Sequence, residues 1–194
     1  MSEKTKVAVL VSGGGTNLQA LIDKCAAGEL PQAEIVRVIA SKEGAFALER
    51  AAKAGIPTAV AKEQAEVLEE LEKSEAEIIV LAGYMKVLSP DIIDRYRNRI
   101  INIHPSLIPK YCGKGFYGIR VHRAVIEGGE TESGATVHYV DEGVDTGSII
   151  LQEKVPVEAG DTPEELAKRV LKTEHRILAE GLKIAIDNLK EGGR

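Results

Sequence analysis

Asn102-Ile103-His104-Pro105-Ser106 closes an apolar run, and its two polar side chains stand two residues apart. On a strand that spacing puts both on one face, so an amide and an imidazole are presented together. Acyl transfer builds negative charge on a carbonyl oxygen. An Asn N–H beside a protonated His can donate to that oxyanion, each donor being worth roughly 3 kcal/mol. The alternative is that His104 only satisfies a hydrogen bond near a turn closed by Pro105; its pairing with Asn102 at a strand's end favours chemistry. Asp141-Glu142-Gly143-Val144-Asp145-Thr146-Gly147 reads alone as a turn, since Asp and Gly are common there for local reasons, and its spacing fits no calcium loop. If Asp145 reached His104, it would raise the imidazole's pKa, hold it charged and relay a proton through water.

Ser12-Gly13-Gly14-Gly15-Thr16-Asn17 lies between a strand-like and a helix-like run. Backbone N–H groups and the helix dipole favour an anion such as phosphate there. The competing reading is a tight turn capped by Thr16 or Asn17. Consecutive glycines carry more backbone entropy than a turn alone requires, which favours phosphate. A dinucleotide fits poorly, because the last glycine of G-x-G-x-x-G falls on Leu18 and the second strand ends in Ser41-Lys42 without an acid for a ribose. Nor is there a G-K-[ST] for a nucleoside triphosphate. Glu174 shares a helical stripe with Leu166 and Val170, where a carboxylate needs a partner. A sugar hydroxyl is one candidate, and a buried Arg169 or Arg176 another. Cys112 near His104 is a weaker candidate nucleophile, because neither an oxyanion loop nor an orienting residue accompanies it. His122 belongs to a basic segment within reach of ligand, His138 alternates within a strand, and His175 reads as helix surface.

The elements that must position these residues alternate between β and α in the first half, the pattern of a parallel sheet with crossover helices. Strands are expected over Val7 to Val11, Ile35 to Ala40, Pro57 to Val60, Ile78 to Ala82 and Ile100 to His104, the central ones apolar on both faces. Helices are expected from Leu18 to Cys25, Phe46 to Ala54, Gln64 to Ser74 and Pro90 to about Tyr96. Open α/β sheets bind ligands at the carboxyl ends of such strands, where His104 falls. Two further β runs, Ala135 to Val140 and Ser148 to Val155, predict a hairpin or neighbouring pair. Thr162-Pro163-Glu164-Glu165 combines a capping box with proline at the first helical position, and Leu166, Val170, Ile177 and Ile184 continue as the stripe of the longest helix. The glycine-spaced piece from Gly113 to Gly118 reads as a loop. The fold class is therefore α/β, an open, mostly parallel twisted sheet with a Rossmann-like amino-terminal half.

At 194 residues the chain needs no second domain. Hydrophobic residues at 44% and charged residues at 28% are ordinary globular usage, without an apolar run of membrane-spanning length. No secretory signal opens the chain, so a cytoplasmic protein is expected. Cys25 and Cys112 read as free thiols. A net charge of −5 argues against nucleic-acid binding, although Lys110, Lys114, Arg120 and Arg123 form one basic island free of acids.

Four segments together carry a family resemblance: Ser12 to Gln19, Leu81-Ala82-Gly83-Tyr84-Met85, Asn102 to Lys110, and Gly143-Val144-Asp145-Thr146-Gly147. In order along nearly the whole chain, they resemble the phosphoribosylglycinamide formyltransferases. The resemblance implies the formyltransferase fold and transfer of formyl from 10-formyltetrahydrofolate to the amine of glycinamide ribonucleotide in de novo purine biosynthesis. It implies substrate phosphate at Gly15, Thr16 and Asn17, the ribose side at Glu174, and folate at Met85, Lys86, Val87, Leu88, Asn102 and the loop from Asp141 to Asp145. Asn102, His104 and Asp145 match the catalytic trio, and Ile108-Pro109 matches a cis bond. The expected organisation is one domain over 1–194, with a phosphate-binding half over 1–100 and a catalytic, folate-binding half over 101–194. Small molecules are the expected partners, with no nucleic acid, membrane or metal, in a monomer or homodimer. A related formyltransferase for another amine, or a formyl-folate hydrolase, is the alternative. Two departures stand out. The piece from Gly113 to Val121 is longer than in many relatives and lacks one of their histidines, and Ala61 to Gln64 has no arginine for the folate tail. The basic island is expected to attract the folate glutamates instead.

Overall fold

The structure, a computed structural model, describes residues 3–192. Strand β1 (Thr5–Val11) sits mid-sheet, and its side chains alternate between two helical layers. Val7, Val9 and Val11 pack with helices α1 (Thr16–Ala26), α2 (Phe46–Lys53) and α6 (Pro163–Gly192). Ala8 and Leu10 pack with α3 (Gln64–Lys73) and α4 (Pro90–Arg95). Burial on both faces explains why the run is uniformly apolar.

With β2 (Ala33–Ala40), β3 (Thr58–Val60), β4 (Ile78–Leu81), β5 (Ile100–His104), β6 (Glu132–Tyr139) and β7 (Ile149–Pro156), the sheet has the order β3-β2-β1-β4-β5-β6-β7. Strands β1 to β5 are mutually parallel, whereas β6 and β7 each run antiparallel to their preceding neighbour. The expected strands and helices are all present within a few residues. The β6–β7 pair is the anticipated hairpin partnership. One element was missed: α5 (Ile119–Glu127), which follows the loop at 113–118 and buries Val121, His122 and Val125.

The capping box at α6 is formed, with Thr162 Oγ1 accepting from the Glu165 N–H and Glu165 accepting from the Thr162 N–H. The stripe of α6 needs one correction. Ile184 is 38% exposed, and Leu178, Leu182, Ala185 and Ile186 make the buried contact there. Gly181 lies so close to the sheet that an added Cβ would stand 2.6 Å from Val137 Cγ1. Among the described residues, no helix is long and apolar enough to cross a membrane.

Candidate active site

Strand β1 ends in the glycine loop, β4 in the segment 82–88, and β5 in Asn102 and His104. All three are carboxyl ends of parallel strands at one edge, where the helices that follow β1 and β4 cover opposite faces and leave a crevice. The crevice is a cavity of about 830 Å³. Met85, Lys86, Val87, Leu88, Asn102, His104, Asp141, Asp145, Asn17 and Glu174 all line it. Gly15 and Thr16 do not; Gly15 immediately precedes α1 and Thr16 is its first residue. Met85 and Val87 are 58% and 65% exposed, an apolar wall open to a flat ligand.

The register of β5 against β6 sets Asn102 directly opposite His138, and His104 opposite Thr136. Asn102 Nδ2 lies 3.1 Å from His138 Nε2, and His138 Nδ1 donates to the Tyr139 carbonyl at 2.8 Å. The loop after β5 is fastened from β6 and β7. Thr136 Oγ1 donates to the Ser106 carbonyl at 2.6 Å, Gln152 Nε2 reaches the Ile108 carbonyl at 3.0 Å, and Ile108-Pro109 is cis.

Asp145 arrives from the loop between β6 and β7 in a left-handed conformation, φ 58°. Its Oδ2 lies 3.5 Å from His104 Nδ1 and accepts the Gly113 N–H at 2.9 Å, and its Oδ1 lies 3.5 Å from His138 Nε2. Burial pushes the Asp145 carboxyl up, but His138, His104 and the Gly113 N–H together hold it below the ordinary carboxylate value. His104, 5% exposed, places Nε2 at 2.9 Å from the Tyr111 carbonyl. Here the sequence expectation is corrected. Burial pulls the imidazole's pKa down and outweighs Asp145 and the Tyr111 carbonyl, which push it up. Asp145 reaches His104 and pushes its pKa up, but by less than burial pulls it down.

Asp141 shapes its own loop: Oδ1 accepts the Gly143 N–H at 3.0 Å and the Thr146 hydroxyl at 2.5 Å. Glu174 is 8% exposed and accepts from Asn17 Nδ2 at 2.8 Å. Neither arginine is its partner, because Arg169 pairs with Asp161 and Arg176 with Glu153. Burial raises the Glu174 pKa, opposed by Asn17. Helix α1 is preceded by Gly15 in the left-handed region, φ 71°, so neither Thr16 nor Asn17 caps it. The surroundings of Cys112 disfavour its thiolate: burial raises its thiol pKa, Asp145 adds to that, and Sγ donates to the Pro109 carbonyl at 3.3 Å. The basic island shrinks to Lys114, Arg120 and Arg123, because Lys110 pairs with Glu130 at 2.9 Å.

His138 was missed as a site residue. Its signal was period two with Thr136, two polar residues facing away from Ala135 and Val137 on the same strand. His122 is 4% exposed in the cavity wall, and burial, with His104, pushes its pKa down to about 4. His175 is half-buried rather than surface, with Nε2 unpartnered.

A family model for formyl transferase matches residues 5–182. The chain belongs to the formyl transferase family. Over 181 residues it is 45% identical to the phosphoribosylglycinamide formyltransferase of Haemophilus influenzae, covering 89% of this chain and 82% of that one. Over 182 residues it is 48% identical to the trifunctional purine biosynthetic protein adenosine-3 of Drosophila pseudoobscura pseudoobscura, covering 89% of this chain but 13% of that much longer protein. The family fold is equally close. The structure superposes on glycinamide ribonucleotide transformylase 1 from Symbiobacterium toebii with a TM-score of 0.90 and 37% identity, covering 97% and 90% of the two chains.

Proposed function

We propose that this formyl transferase family member moves the formyl group of 10-formyltetrahydrofolate to the amine of glycinamide ribonucleotide, a step of de novo purine biosynthesis. The observation that carries the reading is one crevice holding three things. They are the Asn102, His104 and Asp145 cluster, an apolar wall at 85–88, and an acidic Asn17–Glu174 pair beside a glycine loop. The first suits acyl transfer, the second a flat pterin, the third a phosphorylated sugar.

In this mechanism the neutral amine attacks the formyl carbon, and the carbonyl oxygen becomes an oxyanion. Asn102 Nδ2 and His104 Nε2–H are its donors, the oxyanion displacing the weaker Tyr111 carbonyl from His104. That negative charge supplies what burial withholds, so His104 takes a proton from solvent at Nδ1 as the oxyanion forms and returns it to solvent as the intermediate collapses. Asp145 supports the imidazolium through Nδ1 and relays the amine proton to the departing folate nitrogen. Bond-making to the amine and bond-breaking to the folate nitrogen then balance without a metal or redox step. Gly15, Thr16 and Asn17 take the phosphate, Glu174 the ribose hydroxyls, and Met85, Lys86, Val87, Leu88 and Asp141 the folate.

The test is purified protein with 10-formyltetrahydrofolate, with and without glycinamide ribonucleotide. Loss of formyl only when the amine is present is the expected result. Amine-independent loss would make the protein a hydrolase, and no loss would refute formyl transfer.

A further inference from the structure

The glycine loop leans on α2, and the contact is polar. The Ala47 N–H donates to the Gly13 carbonyl at 3.1 Å, and Arg50 Nε donates to the Gly14 carbonyl at 2.7 Å. Two successive carbonyls are therefore turned toward α2. In a planar trans peptide the N–H points opposite to the C=O that it shares, so the Gly14 and Gly15 N–H groups face away from α2. Among the described residues, no N–H from Gly14 to Leu18 has a partner within the protein. Nothing lies within 4 Å of where a Cβ on Gly13 or Gly14 would be, so the space before them is open. Gly15 is the reverse: its Cβ would stand 2.5 Å from Ala47 Cβ, on the packed side.

Arg50 is half-buried and fixed on three sides. Besides Gly14, its Nη1 reaches Gln19 Oε1 at 3.2 Å, and its guanidinium lies 4.9 Å from the centre of the Phe46 ring. Among the described residues no carboxylate lies within 4 Å of it. A guanidinium held rigidly without a counter-ion keeps its field at the loop it braces.

We infer that Arg50 is a positioning residue for the substrate's phosphate. Its Nε–H holds the Gly14 carbonyl back, which keeps the row of N–H groups aimed at the anion, and its uncompensated charge draws the dianion to the loop. The inference rests on assigning a phosphomonoester to this loop in the transfer reaction. Lysine cannot replace the fork, because one ammonium does not donate to Gly14 and Gln19 in a fixed plane.

The experiment uses the full chain carrying Arg50→Lys or Arg50→Ala, and inorganic phosphate as the probe. Phosphate affinity, read by calorimetry, is expected to fall about tenfold in both, the effect of one hydrogen bond to a charged group. The KM for glycinamide ribonucleotide rises in parallel with kcat unchanged, glycinamide riboside, which lacks the phosphate, is used as before, and added guanidinium restores Arg50→Ala. Unchanged phosphate affinity, or equal losses on both substrates, would overturn the inference. If Arg50→Ala does not fold, Arg50→Lys carries the same expectations. Phosphate affinity that tracks Arg50 in a protein unable to transfer formyl would refute the transfer reading while supporting Arg50's role.

Discussion

Asp145→Asn tests the catalytic proposal most directly, because it removes a charge while nearly preserving shape. Asparagine tolerates the left-handed φ of 58° at this position, and its amide oxygen can still accept the Gly113 N–H. What is lost is a negative charge 3.5 Å from His104 Nδ1. At an effective dielectric of about 20, two unit charges at that separation attract by roughly 5 kcal/mol. At about 1.4 kcal/mol per tenfold, that is about three orders of magnitude in stabilising an imidazolium. Burial already pulls His104 down and only Asp145 and the Tyr111 carbonyl oppose it, so the substitution leaves the ring still harder to protonate. Turnover with both substrates saturating should fall by about 10²–10⁴. The limb of activity that is lost as pH rises through the His104 pKa should move to lower pH. Wild-type turnover, or an unmoved limb, would refute the role.

Glu174→Gln should raise stability at neutral pH while weakening substrate binding. Burial raises this carboxyl's pKa above its ordinary value, so its proton favours the native state at low pH, and that contribution is lost as pH rises through the folded value. Melting midpoints should differ by a few degrees near pH 8, as for ~1 kcal/mol, and converge in acid; a uniform offset would contradict this. Gly15→Ala combines a φ of 71° with a Cβ 2.5 Å from Ala47, and should cost about 3 kcal/mol in urea unfolding. Gly14→Ala, facing open space, should leave unfolding nearly unchanged but obstruct phosphate. Removing Lys114 and Arg120 together should raise KM about fivefold for polyglutamylated folate and less for monoglutamylated folate, an effect that salt abolishes. Equal effects on the two forms would argue against the island's role.

Local patterns exposed most of the scaffold in the sequence. Burial on both faces makes parallel strands read as apolar runs, and the cap at Thr162 announces α6 through hydrogen bonds between near neighbours. The exposed first turn of α5 hid that helix, because its buried face, Val121, His122 and Val125, was read within a basic segment. In the site, Asn102 and His104 were legible because strand period is local. Asp145 and His138 were not, for their meaning depends on pairing across β5 and β6 and on a turn of the following loop. The direction of the His104 pKa shift was misjudged for a related reason: desolvation is a property of the whole packed surroundings, which no local motif encodes. Glu174 was rightly read as needing a partner, but Asn17, far away in sequence, supplied it in place of the arginines.

The seat of α6 on Val137 gives a residue without a side chain leverage over a ligand it never meets. Gly181 lies two helical turns from Glu174, about 10 Å along a rigid rod. A methyl group there would lever the rod off the sheet and swing Glu174 from Asn17, so under the proposed binding of ribose at Glu174 a loss of sugar selectivity would trace to a mutation that looks like ordinary core damage. The Asn17–Glu174 contact is set partly by how closely the α6 backbone is allowed to approach Val137.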